Sequence, residues 1–179
     1  MPSLENSQLE NIRHSLAHLL ASAVLKKYPK TKLGIGPVID TGFYYDFLPP
    51  SPISDAELPA LEKIMREEIK KKLEFTGKVA NAPSAKKVFK DQPFKLELIK
   101  EFIKEKKELT LYQSGDFTDL CRGGHVENTL EIDQDSFHLI KIAGAYWKGS
   151  EKNPQLTRIY GAAFSTKAEL EAYEKQIEE

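Results

Sequence analysis

Three of the four histidines and the only cysteine of this 179-residue chain fall into two short pairs, His14-x₃-His18 and Cys121-x₃-His125. Two histidines at i and i+4 on a helix share one face, a few ångström apart. The second pair encloses Gly123 and Gly124, which permit a tight loop and a close approach of backbone to a ligand. Imidazoles near neutral pH move protons, and a thiol adds a nucleophile or a metal ligand. Two chemistries are open from the residues alone. The four side chains could bind zinc tetrahedrally, or they could line a metal-free pocket in which imidazoles position and activate water.

A cysteine-protease arrangement fits poorly, because it leaves the helical histidine pair without a role. The glycines of LGIGP and CRGGH do not form a phosphate-binding loop, since neither G-x-x-x-x-G-K-[ST] nor G-x-G-x-x-G occurs. ATP chemistry within this chain is therefore not expected.

The elements that must position these residues are readable from pattern. Ser7 and Glu10 suggest a capping box opening a helix. Leu9, Ile12, Leu16, Leu19, Leu20 and Ala23 make one apolar stripe on it, and Pro29 ends it. His14 and His18 lie nearly opposite that stripe, beside Ala17, Ala21 and Leu25, so the second face is expected to be covered too. Lys32 to Phe47 reads as strand, turn at Asp40-Thr41-Gly42, and strand. A second helix starts or bends at Pro59, with Leu61, Ile64, Met65 and Ile69 inward. Strand is expected at 73–80 and short helices at 84–90 and 94–106. ELTLY, SFHLIKIAG, AYWKG and QLTRIYGAAF read as strands, and Ser165 or Thr166 caps a last helix. These elements predict an α+β fold, an antiparallel sheet packed with helices as a two-layer sandwich. One domain over 1–179 is expected, with a small helical and strand subdomain around 63–108.

Composition narrows the class. With 40% hydrophobic and 30% charged residues the chain reads as a soluble globular protein. It has no apolar run of about 18 residues, so no membrane partner is expected. A lone cysteine excludes an internal disulfide and points to a reducing, cytoplasmic setting. The net charge of −1 hides a distribution: residues 63–108 carry 14 basic and 8 acidic side chains between acidic flanks. Such a block is either a solvated helix face or a surface for a polyanion.

HSLAHLL, GIGPVIDTGFYYDF, FKLELI, GDFTDLCRGGHV, KIAGAYWKG and LTRIYGAAF together, in this order, resemble the N-terminal editing domain of threonyl-tRNA synthetases, a module shared with alanyl-tRNA editing proteins. The resemblance runs from about residue 9 to the end. It implies a deacylase that hydrolyses serine wrongly esterified to tRNA(Thr), acting within a class II threonine–tRNA ligase. It also implies site residues. His14, His18, Cys121 and His125 line the pocket, Lys95 joins them in catalysis, and Tyr45, Asp119 and Arg122 bind substrate. Lys95 would stabilise developing negative charge or hold the terminal adenosine. Asp119 would orient His125 or bind the substrate's ammonium. Editing of this kind needs no cofactor. Zinc, held by His14, His18, Cys121 and His125, is the alanyl-type alternative, and ATP serves only the aminoacylation core, which this chain lacks. The implied partners are the acceptor end of tRNA(Thr) carrying serine and the remaining synthetase domains, into which the chain would continue past Glu179. A non-catalytic tRNA-binding module is the other alternative. The family pattern has CRGPH where this chain has CRGGH, so Gly124 is expected to loosen the loop that holds His125.

Overall fold

A computed structural model describes residues 4–178, with side chains from residue 7; Met1–Ser3 and Glu179 of the expected 1–179 domain lie outside the described residues. In chain order the elements are α1 (Leu4–Lys27), β1 (Lys32–Leu33), β2 (Val38–Ile39), β3 (Gly42–Leu48), α2 (Leu58–Lys70) and β4 (Thr76–Ala80). Then follow α3 (Ala82–Val88), α4 (Pro93–Lys104), β5 (Leu109–Ser114), β6 (Phe117–Leu120), β7 (Phe137–Tyr146), β8 (Gln155–Ala163) and α5 (Lys167–Glu178). The class is α+β, with every strand pairing antiparallel.

The larger sheet runs β1-β3-β8-β7, with β2 also paired to β3. Its register sets Tyr45 opposite Ile159 and Asp46 opposite Arg158, so Phe43, Tyr45 and Phe47 share the buried face. Against that face lie α1 and α2. Leu16, Leu19, Leu20 and Ala23 of α1, with Leu61 and Met65 of α2, are fully buried there in the principal core. Pro59 sits in the first turn of α2, where its missing N–H costs nothing.

The smaller sheet, β4-β5-β6, carries α3 and α4 over its own apolar cluster of Ala85, Phe89, Ile99, Leu109, Leu111 and Leu120. Asn81 caps α3 by accepting the Ser84 N–H at 2.9 Å. The stretch 63–108 thus holds the end of α2, then β4, α3 and α4.

Helix α1 touches both sheets, packing on β3 of the larger one and on β6 of the smaller. Its apolar stripe faces the first, while Ala17 and Ala21, both fully buried, let the second approach closely. The expected cover over the histidine face is therefore present.

Two local expectations are corrected. Helix α1 already runs from Leu4, so Ser7 and Glu10 lie inside it and do not open it. Glu5 and Asn6 continue the helix upstream, where a polar first turn gives no signal to separate cap from interior. AYWKG is strand only to Tyr146; Trp147–Gly149 turns over, with Lys148 and Gly149 at φ of 55° and 72°. Residues 117–120, within the GDFTDLC motif, form strand β6 and close the smaller sheet. The last helix is capped as expected, by Thr166 Oγ1 accepting the Glu169 N–H at 3.2 Å.

Candidate functional site

The site forms where α1 meets β6 and the loop that follows it. Strand β6 points Asp119 inward, and residues 121–125 then fold back over the helix. His14, His18, Cys121 and His125 come together, each offering a donor atom within 4.8 Å of the others. The His125 ring stacks on His14 at 4.1 Å between centroids and lies 4.2 Å from His18.

Hydrogen bonds fix the rings. The carbonyl of Gly124 can only accept, so His14 Nδ1–H donates to it at 3.2 Å and His14 Nε2 keeps a free lone pair. His125 has Ser15 Oγ 3.1 Å from Nδ1 and Cys121 Sγ 3.3 Å from Nε2. His18 Nε2 lies 3.4 Å from Asp119 Oδ2, while its buried Nδ1 has no partner among the described residues.

Behind His18 sits a buried charged network. Asp119 accepts from Lys95 Nζ at 2.6 Å, from Tyr45 Oη at 2.7 Å and from the Leu120 N–H at 2.7 Å. Lys95 is 1% exposed, Asp119 2% and His18 2%. A buried carboxylate is tolerated because it is paired and hydrogen-bonded. Burial, then Asp119, raises the Tyr45 hydroxyl well above its ordinary 10, so it stays a proton donor.

All three imidazoles are held neutral. Desolvation is the main cause of the lowering at His14. Burial, then His14 and Lys95, puts His18 well below 6.5. Burial with the two neighbouring imidazoles brings His125 down to about 2. Burial likewise pushes the Cys121 thiol up to about 12. The cluster is a set of bases beside a thiol, with no ready thiolate.

Two imidazoles, a thiol and a third imidazole are a donor set that zinc takes. His14 and His18 already engage their outer nitrogens with Gly124 O and Asp119, the arrangement that orients metal-bound histidines. Donors around tetrahedral zinc lie about 3.5 Å apart, so the 4.8 Å span requires a modest contraction. By type and arrangement these residues fit the ion.

The expected residues are placed as follows. His14, His18, Cys121, His125, Asp119 and Tyr45 converge, and Lys95 joins them through Asp119. The contacts of Asp119 are to His18, Tyr45, Lys95 and Leu120, not to His125. Arg122 is exposed on the loop and forms no ion pair among the described residues. Gly124 has φ +84°, which a proline ring cannot adopt, and the expected loosening is countered by bonds from His14 and Ser15. Gly123 is required twice over, since φ is +103° and a Cβ there would come within 2.6 Å of Tyr112 Oη.

Sequence reading missed Ser15, Phe75, Tyr112 and Phe117. Phe75 stacks on His125 at 4.8 Å, Tyr112 lies 5.0 Å from it and Phe117 meets His18 edge-on at 5.7 Å. Ser15 had a signal in its place between the two histidines. The aromatics had none, being single residues on three separate segments.

Comparison with known proteins agrees with the resemblance carried by the motifs. Residues 109–160 match the family model of the threonyl and alanyl tRNA synthetase second additional domain. The chain is 50% identical over 171 residues, 96% of its length, to the threonine–tRNA ligase of Treponema pallidum. It is 48% identical over 173 residues to that of Dehalococcoides mccartyi, covering 97% of this chain, and 47% identical over 173 residues to that of Thermotoga neapolitana, covering 95%. The chain spans 29% of the length of the first two relatives and 26% of the third. No described helix is long and apolar enough to cross a membrane.

Proposed function

We propose that this chain, similar over nearly its whole length to one stretch of threonine–tRNA ligases, hydrolyses the ester of serine mischarged onto tRNA(Thr). The observation that carries the reading is the convergence of three neutral imidazoles, with His14 Nε2 left free by the bond from its Nδ1–H to Gly124. An aminoacyl ester is activated, so its hydrolysis asks only that water be oriented and deprotonated and an oxyanion stabilised. In this mechanism His14 Nε2 takes a proton from water as the oxygen adds to the ester carbonyl. The tetrahedral intermediate collapses, the ribose oxygen leaves and takes that proton back from His14, and free serine and tRNA result. Asp119, 3.4 Å from His18 Nε2, orients the His18 ring beside His14. The reaction draws on water and no ATP.

Editing answers a limit on recognition. Serine lacks only threonine's methyl group, and a pocket built for the larger residue rejects the smaller by about 1–3 kcal/mol. A second, hydrolytic sieve supplies the rest. The basic block at 63–108 is the surface proposed to meet the acceptor arm, with the other synthetase domains as partners. Arg122, exposed on the loop beside Cys121, would meet phosphate.

The test is incubation of the protein with seryl-tRNA(Thr) and threonyl-tRNA(Thr). Selective release of serine is expected; no release, or equal release of both, would sink the reading. Replacing both His14 and His18 with Ala should abolish turnover. Binding of tRNA without cleavage would favour the non-catalytic module, and its affinity should fall steeply with salt.

The four donors within 4.8 Å favour a second reading, with zinc held by His14, His18, Cys121 and His125. When bound, zinc would supply a Lewis acid and lower the pKa of coordinated water. Metal analysis of protein purified without added zinc separates the two: stoichiometric zinc favours this reading, and metal-free turnover the first.

A further inference from the structure

Ser15 is fully buried on α1, between His14 and His18 in sequence but off their shared face. Its Oγ accepts the Val126 N–H at 3.1 Å and lies 3.1 Å from His125 Nδ1. Besides Ser15, the side-chain bond that ties this segment to α1 is His14 Nδ1–H to Gly124 O. Backbone pairing of the smaller sheet ends with the Cys121 N–H to Thr110 O, and it resumes only at Glu127, whose carbonyl accepts from Phe75. Between them, Gly123 and Gly124 both take positive φ, so the loop has no stiffness of its own. Val126 is buried in the principal core and needs its N–H satisfied.

The proton order around His125 follows from its neighbours. Cys121 is a half-buried thiol, and it donates S–H to His125 Nε2 at 3.3 Å. A neutral imidazole that accepts at Nε2 carries its proton on Nδ1, and that N–H meets Ser15 Oγ. The hydroxyl thus accepts twice, from a loop amide and from the ring.

Resting on the deacylase reading above, we infer that Ser15 is a positioning residue for His125: its hydroxyl fixes the Nδ1–H tautomer and clamps loop 121–126 to α1. Ser15 touches no substrate. It acts by preventing the His125 ring from flipping, so that the wall of the site opposite His14 keeps one shape.

The test combines kinetics with ¹⁵N NMR of the histidine side chains in the 179-residue protein. In the unaltered protein, His125 should show a protonated Nδ1 and an unprotonated Nε2. Ser15→Ala should mix the tautomers and lower kcat for serine release about tenfold, with KM changed less than twofold. The tautomer of His14, set by Gly124, should not move. Ser15→Thr keeps the hydroxyl and should keep the wild-type spectrum. An Nε2–H tautomer in the unaltered protein overturns the inference, whether or not Ser15→Ala folds. So does a Ser15→Ala protein that keeps both the Nδ1–H signal and full turnover. If the unaltered protein releases no serine, the deacylase reading falls while the spectra still decide the role of Ser15.

Discussion

Removing one charge from the Lys95–Asp119 pair should reveal how far the site depends on a buried ion pair. Lys95→Met keeps the length and apolar stem of the side chain but deletes the ammonium that sits 2.6 Å from Asp119 Oδ1. The carboxylate then remains 2% exposed, held by Tyr45, Leu120 N–H and His18 alone. Breaking a buried pair on one side costs about 3–5 kcal/mol. With a urea dependence of about 2 kcal/mol/M, the unfolding midpoint should fall by about 1.5–2.5 M. Asp119→Asn should cost a similar amount, because it strands the ammonium. The double variant removes both charges while Asn still accepts from Tyr45, and it should lie within about 1 kcal/mol of wild type. Urea unfolding of all four proteins at pH 7.5, followed by circular dichroism, measures the coupling directly. A midpoint shift below about 0.5 M for Lys95→Met, or a double variant as unstable as either single one, would refute the buried-pair account.

Other outcomes follow from the same geometry. The three site histidines have folded pKa values depressed below 6.5, so the stability they permit is complete above that pH. It is lost as pH falls from 6.5 toward their folded values; urea midpoints at pH 7.5, 6.0 and 5.0 should decline, and His18→Phe should flatten the decline. Serine release should drop on the acid side with protonation of His14, the least depressed of the bases by virtue of its Gly124 bond, as a pH–rate profile would show. Gly124→Ala puts a Cβ at φ +84° and should destabilise the fold by about 1–2 kcal/mol, with Gly124→Asn costing less; thermal unfolding checks both.

The larger part of the fold was legible because its signals are periodic. Leu16, Leu19 and Leu20 at helical spacing, and the alternation of Phe43, Tyr45 and Phe47, state which face is buried. The histidine pair was legible for the same reason, since small residues opposite the main stripe betray a second covered face. Strand β6 was hidden because it is four residues long and its inward position carries Asp119, a charge where alternation calls for an apolar side chain. That charge is tolerated only through Lys95, 24 positions away, and no local pattern reports such a partner. The meeting of His18 with His125 came from family resemblance, because spacing along the chain cannot say which loop folds over which helix. Phe75 and Tyr112, which box in His125, stand outside any motif.

Because α1 supplies His14 and His18 while the smaller sheet and its loop supply Asp119, Cys121 and His125, the chemistry lies along a seam between two folded bodies. Each body has its own apolar cluster. Parting them by a few ångström would disassemble the site without unfolding either one, at a free energy below that of global unfolding. The Val126 amide, whose N–H bonds to Ser15 Oγ of α1 across the seam, should therefore report the lifetime of the competent site, and the amides of β3 and β8 the lifetime of the fold. The two clocks run separately, so a protein that remains folded can still have its four-residue cluster parted for part of its time.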